Sequence, residues 1–238
     1  MNENRNVPIL HNMTILNYAV SVLPITANIV VYIVFFSFKH HIDNENYFFP
    51  CTSDIIIFQP EYRIHSVFMT MGSILILFVF YIQDKVRVIL GKRLHKINTQ
   101  KFKIIRVISY VSCITYLIGH QILGVVPYIT SKILVSIGNN FNGFGLIGTF
   151  ISCDVFNAYL NHASSIVSRI TTWVVFITTI FNLLIRFYIF TNDQSDNIQW
   201  WTMATVFFVI EQWCGYSKFT LMSKALPPAA IRLSRNIV

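Results

Sequence analysis

Several ionisable and amide side chains of this sequence lie inside stretches that are otherwise apolar. They are His120, Gln121, Asp154, Asn157, Asn182, Arg186 and Glu211. In a membrane, such groups bind polar head groups, relay protons or hold helices together through hydrogen bonds. Because an unpaired polar group is costly in hydrocarbon, we expect each of them to face the interior of a helical bundle.

The elements that carry these residues are predicted to be membrane spans. The 238 residues are 54% hydrophobic and 12% charged, with a mean hydropathy of +0.57, whereas soluble domains carry about 25% charged residues. A chain of this length cannot bury so much apolar surface in water. We therefore predict an all-α, multi-pass transmembrane bundle of six helices that forms one domain over residues 1–238. The predicted spans are 14–36, 66–82, 107–126, 143–160, 170–190 and 199–217.

Lys and Arg are distributed unequally between the two sides of this predicted bundle. Fourteen lie on one side, mainly within 85–106 and after residue 217, and three lie on the other. The positive-inside rule assigns the richer side, with both termini, to the cytosol. The net charge of +8 thus reflects topology. It does not indicate nucleic-acid binding, for which a basic domain would be expected.

Two acids, Asp154 and Glu211, lie deepest in the predicted spans. Counted from the lumenal ends, both lie roughly 16–18 Å deep, near the middle of a ~30 Å hydrocarbon core. Arg186 lies only ~8 Å deep, so a direct ion pair with either acid is not expected. We predict that both acids bond to neighbouring helices through groups such as Asn157 or Ser and Thr hydroxyls. Structural links and functional groups both remain open as interpretations.

Five side chains on the lumenal side could in principle bind a metal ion. They are His40, His41, Asp43, Glu45 and His65. No helix or strand periodicity fixes their spacing, as it does in known metal motifs. We therefore predict a solvated loop here, with no metal and no cofactor.

A glycine pattern, Gly143-Phe-Gly145-Leu-Ile-Gly148, matches the dinucleotide fingerprint by letter. That fingerprint needs a preceding strand, and none is predicted here. Small residues in a membrane helix more often allow a second helix to approach closely. We predict that Gly148 and Ser152 have this structural role.

One lumenal stretch carries a pattern known from a protein family. It reads Phe49-Pro50-Cys-Thr-Ser53-Asp54, followed by Pro60-Glu61 just before the second span. This resembles the first loop of the Frag/DRAM/Sfk superfamily of six-span membrane proteins. Glu211, followed by Tyr216 and Phe219, is most similar to the branch of the post-GPI-attachment-to-proteins factor. The sequence departs from the superfamily at 139–143, where members often have a His before small residues.

The resemblance implies a role in remodelling the lipid of GPI anchors, in the Golgi or endoplasmic reticulum membrane. The bundle would bind a lipid, including a GPI lipid, between its helices, with the lumenal loop near the head group. The alternative is a non-catalytic modulator of autophagy or phosphoinositide signalling, acting through the basic cytosolic loop 85–106. In that case the loop would recruit a partner or a phosphoinositide. A membrane-protein partner also remains open, and the lysosomal membrane is the alternative location. Whether the chain is an enzyme stays open, since no catalytic motif is present.

Overall fold

The computed structural model describes residues 7–38, 60–126, 131–161, 164–192 and 198–224. Over these residues the chain is all-α, as predicted, with six helices and no strand. In chain order the helices are α1 Val7–Ser37, α2 Glu61–Arg93, α3 Gln100–Val125, α4 Lys132–Tyr159, α5 Ile166–Thr191 and α6 Ile198–Lys224.

Four of the six helices contain segments that are long and apolar enough to cross a membrane. These segments are Tyr18–Ser37, Glu61–Arg93, Gln100–Val125 and Ile166–Ile189. The other two helices, α4 and α6, have 28 and 27 residues, so they are equally long but less apolar. Helix α4 contains three Asn within 139–142, and helix α6 contains Glu211, Gln212 and Lys218.

The described helices direct apolar side chains outward and polar side chains inward. Glu211, His120 and Lys218 are each at most 1% exposed, whereas Ile133 and Trp173 are 76% and 64% exposed. A soluble fold would show the reverse arrangement. The exposed apolar residues of α4 include Ile133, Ile137, Phe141, Phe144, Ile151 and Val155. This distribution is that of a bundle surrounded by lipid.

The helices are longer than the predicted spans at the end where Lys and Arg concentrate, which we call the basic end. There α2 continues to Arg93 and α3 already begins at Gln100, so the connection is 94–99 and not 85–106. Thr99 caps α3 by accepting a hydrogen bond from the amide of Phe102 at 3.2 Å. A capped, six-residue connection leaves most of the basic residues on helix ends.

Close approach of α3 and α4 depends on glycine. A Cβ on Gly145 would overlap main-chain atoms of Tyr116, and a Cβ on Gly119 would overlap main-chain atoms of 138–142. Gly148 lies against the side chain of Ser112 on α3, which confirms its predicted role. Small residues thus allow these two backbones to touch, as in other membrane helix pairs.

We expect Gly145→Ala to destabilise the bundle by about 1–3 kcal/mol, the usual cost of overpacking. The added methyl group meets the backbone of α3, which cannot rotate away as a side chain can. Thermal unfolding of the purified protein in detergent measures the effect. Gly72→Ala is the matched control, because its Cβ would lie 3.3 Å from the side chain of Pro24. Equal stability loss in the two variants would contradict this packing.

Candidate functional site

His120 lies at the centre of a hydrogen-bonded chain that joins four helices. Its Nδ1 is 2.9 Å from the hydroxyl of Ser73 on α2, and its Nε2 is 2.9 Å from the hydroxyl of Tyr216 on α6. Ser21 of α1 donates to the carbonyl of Tyr216 at 2.6 Å. Both ring nitrogens of the buried imidazole therefore have partners within the bundle. This arrangement makes His120 a structural link.

Asp154 is bound by a buried lysine near the basic end. The ammonium of Lys218 lies 3.0 Å from both carboxylate oxygens of Asp154 and donates to the carbonyl of Ser168 at 2.8 Å. The hydroxyls of Ser164 and Thr172 also donate to Asp154, at 3.0 and 2.7 Å. The ion pair thus fastens α4 and α6 to the start of α5. The predicted bonds to Ser and Thr hydroxyls of a neighbouring helix are confirmed for Asp154.

Asp154 lies nearer to the end of its helix than the predicted span implies. The helix α4 begins at Lys132, eleven residues before the predicted start, and Asp154 lies five residues before its end at Tyr159. Asn157, one turn after Asp154, donates to Ser164 at 3.5 Å and belongs to the same group. The acid is therefore at the basic end of the bundle and not near the middle of its helix.

The burial of Lys218 was not predicted, because the predicted sixth span ends at 217 and Lys218 then falls in the cytosolic tail. In the structure α6 continues to Lys224, and Lys218 is fully buried. The spacing between Lys218 and Glu211 could have predicted this burial. Lys218 follows Glu211 by seven residues, so a continuous helix places both on one face.

Glu211 and Arg186 are connected through an amide and not directly. The Nε of Arg186 donates to Oδ1 of Asn182 at 2.9 Å, and Nδ2 of Asn182 lies 3.5 Å from Oε2 of Glu211. Because guanidinium only donates and carboxylate only accepts, this order fixes the orientation of the Asn182 amide. The amide of Asn182 is therefore the polar link between the carboxylate of Glu211 on α6 and the guanidinium of Arg186 on α5.

A cavity of about 380 Å³ lies between α4 and α5, in the half of the bundle away from the basic end. Arg186 lines it, together with the polar side chains of Ser136, Asn139 and Asn140. The remaining lining is apolar: Val135, Phe144, Ile180, Leu183, Leu184 and Phe187. A mostly apolar wall with a few convergent polar groups is typical of small-molecule sites. Of the predicted site residues, Arg186 lines this cavity, whereas His120, Asp154, Asn157 and Glu211 do not. Glu211 is linked to Arg186 through Asn182.

The chain matches the family model described as Frag1/DRAM/Sfk1/Cwh43P N-terminal domain over residues 12–220. The chain belongs to this family. No curated protein and no solved structure matches it. Membership of the Frag1/DRAM/Sfk1 family agrees with the several membrane-spanning helices of the fold.

The loop that carries the Frag1/DRAM/Sfk1 resemblance is mostly outside the described residues. The undescribed residues include four of the loop pattern, Phe49, Pro50, Ser53 and Asp54. They also include the metal candidates His40, His41, Asp43 and Glu45. Pro60 precedes the first turn of α2, where its carbonyl accepts from the amide of Ile64 at 3.1 Å. Glu61 opens that helix and is fully buried. Within the described ranges, no three His, Cys, Asp or Glu side chains form a metal cluster.

Proposed function

We propose that this protein takes part in remodelling the lipid of GPI anchors by binding a lipid between α4 and α5. The observation that carries the proposal is the cavity of about 380 Å³ in which Arg186 faces apolar side chains. This volume lies within the roughly 300–1,000 Å³ that ligand pockets occupy. An apolar wall accommodates an acyl chain, and a guanidinium accommodates the phosphate to which the chain is attached.

The position of the cavity supports a lipid of the lumenal leaflet. Arg186 lies five residues before the end of α5 at Thr191, and hence roughly 8 Å along the helix from that end. The positive-inside rule assigns the basic end of the bundle to the cytosol. The opposite end, where α5 ends, is therefore lumenal. The phosphate of a GPI anchor lies in the lumenal leaflet. Arg186 is thus at a suitable depth for it.

A bundle of six spans is part of the proposal. The exposed surfaces of α4 and α6 are apolar at helical spacing, as with Met203, Val206, Ile210 and Trp213 on α6. The polar residues that lower the hydropathy of these two helices, such as Asn139 and Glu211, are buried. Lipid would therefore meet only their apolar faces. Both helices also exceed the roughly 20 residues that a span needs.

Six spans predict that the connection 94–99 and the C-terminal tail lie on one side of the membrane, in the cytosol. Single-cysteine labelling or epitope tags in sealed membrane vesicles measure this, with the native cysteines replaced. A tag at either site should react only after the cytosolic face is exposed. Opposite sidedness of the two sites would contradict six spans.

Lipid analysis of GPI-anchored proteins tests the function. Cells that lack this chain should retain unremodelled anchor lipids, and the wild-type gene should restore the remodelled form. Unchanged anchor lipids in the deleted cells would exclude the proposal. In deleted cells that carry the restored wild-type gene, the protein is expected in the Golgi or endoplasmic reticulum. A lysosomal location would favour the second candidate.

The second candidate is a non-catalytic modulator of autophagy or phosphoinositide signalling, which would bind a partner at the basic end. Exposed basic side chains on the helix ends support it: Lys85, Lys92, Arg93, Lys101 and Lys103. Such side chains attract anionic head groups by about 1 kcal/mol each. Normal GPI lipids combined with altered phosphoinositide levels in deleted cells would favour this function.

A further inference from the structure

Arg87 is a buried cation at the basic end whose charge is not balanced by any acid of the described residues. It is only 3% exposed, and its Nε is enclosed without a hydrogen-bond partner. Its guanidinium lies over the ring of Phe156, with 5.3 Å between the guanidinium carbon and the ring centroid. An unpaired guanidinium at the edge of hydrocarbon is costly unless an anion reaches it.

Both acids near Arg87 are already bound by other cations. Asp84, three residues earlier on α2, accepts from Nε and Nη2 of Arg106 at 2.8 and 2.7 Å and from the hydroxyl of Tyr110 at 2.8 Å. Asp154 is held by Lys218. Lys218 also repels Arg87 through space. The described part of this end therefore contains one more buried positive charge than negative.

Two further buried polar side chains near Arg87 also have no partner. Both amide atoms of Gln83 are unpaired, and Gln83 precedes Arg87 by one turn on the same face of α2. The hydroxyl of Ser109 on α3 is unpaired as well. The antiparallel contacts of Asp84 with residues 106 and 110 of α3 place Ser109 at the level of Gln83. Three buried groups able to donate hydrogen bonds thus lie at one level of α2 and α3 without acceptors among the described residues.

From this geometry we propose that Arg87, Gln83 and Ser109 form a binding site for a phosphate group at the basic end. The phosphate belongs to an anionic lipid of the leaflet at that end. Guanidinium binds phosphate through two parallel hydrogen bonds, and amide and hydroxyl groups donate to the remaining oxygens. Exposed apolar side chains of the same two helices, such as Phe78 and Val107, would contact the acyl chains. The site is separate from the cavity that Arg186 lines, which is at the other end of the bundle.

A purely structural role for Arg87, through its contact with Phe156, makes a different prediction. That contact is the same in any lipid, so its loss would lower stability equally in neutral and anionic bilayers. A phosphate site makes the stability of the protein depend on anionic lipid, because a ligand that binds only the folded state raises its unfolding temperature. The two roles are separated by varying the lipid.

The full chain is reconstituted in phosphatidylcholine nanodiscs with and without phosphatidic acid. Thermal unfolding and native mass spectrometry then report stabilisation and bound lipid. The wild-type protein should be stabilised by phosphatidic acid and should retain it. Arg87→Gln should lower the apparent affinity for phosphatidic acid about tenfold or more, the effect of losing one charge-assisted hydrogen bond. Lys92→Gln is the matched control on the same helix and should retain the wild-type response.

If Arg87→Gln does not fold, Ser109→Ala gives the same test with a smaller change, and it should also reduce the response. Equal responses of the wild-type and variant proteins to phosphatidic acid would overturn the proposal, as would equal stability of the wild type in both bilayers. Inorganic phosphate added at millimolar concentration should not displace the lipid. Stabilisation by inorganic phosphate alone, without any by phosphatidic acid, would overturn the lipid as the source of the phosphate.

Discussion

Asp154→Ala is expected to destabilise the protein by about 3–5 kcal/mol, the usual cost of removing one partner from a buried ion pair. The substitution leaves the ammonium of Lys218, which is fully buried, without its carboxylate. It also removes the acceptor of Ser164 and Thr172. Thermal or denaturant unfolding of the purified variant in detergent measures the loss.

A double-mutant cycle separates the pair from its surroundings. Asp154→Asn and Lys218→Met should each destabilise the protein, and the double variant should recover much of the loss because neither charge of the pair remains. Lys103→Met, which removes an exposed charge of α3, is the control and should change stability by less than about 0.5 kcal/mol. Additive losses in the double variant would show that the two side chains are not coupled.

Arg186→Leu is expected to reduce lipid remodelling strongly while leaving a folded protein. In the proposed function its guanidinium binds the lipid phosphate, and a charge-assisted hydrogen bond contributes about 1.5–3 kcal/mol, or roughly 10- to 150-fold in affinity. Leucine keeps the apolar bulk of the side chain but cannot bind phosphate. The measurement is the ability of the variant gene to restore remodelled GPI lipids in cells lacking the protein.

Two controls accompany Arg186→Leu. Arg169→Leu makes the same change at an exposed position near the start of the same helix and should restore remodelling fully. Glu211→Gln keeps an acceptor for Asn182 and removes only the charge. A folded but inactive Glu211→Gln protein would show that the acid is functional, and an active one that it only holds Asn182. Normal remodelling by Arg186→Leu would remove Arg186 from the proposed lipid site.

The sequence predicted the class and the helices of the fold well, because hydropathy depends on each residue alone. All six predicted spans fall largely within observed helices, and the glycine pattern at 143–148 predicted a close helix contact. Helix ends were predicted poorly. Membrane helices extend past the hydrocarbon, so polar residues such as Lys85 or Lys218 do not mark where a helix stops.

The site was predicted less completely, because partners depend on how helices are rotated and shifted against one another. The expectation that Arg186 and Glu211 would not pair directly followed from depth, and Asn182 connects them. That Lys218 binds Asp154 depends on the register of α6 against α4, which no single-helix pattern contains. The same is true of Arg87, which was predicted to lie in the basic cytosolic loop 85–106.

The most direct test of the account is whether lipid occupies the cavity between α4 and α5. Native mass spectrometry of the protein purified in mild detergent should show a retained phospholipid or GPI lipid. Ser136→Trp fills the cavity and should remove that lipid, whereas Ile133→Trp, on the exposed face of the same helix, should keep it. A wild-type protein without lipid, or a Ser136→Trp protein with wild-type lipid occupancy, would contradict the account.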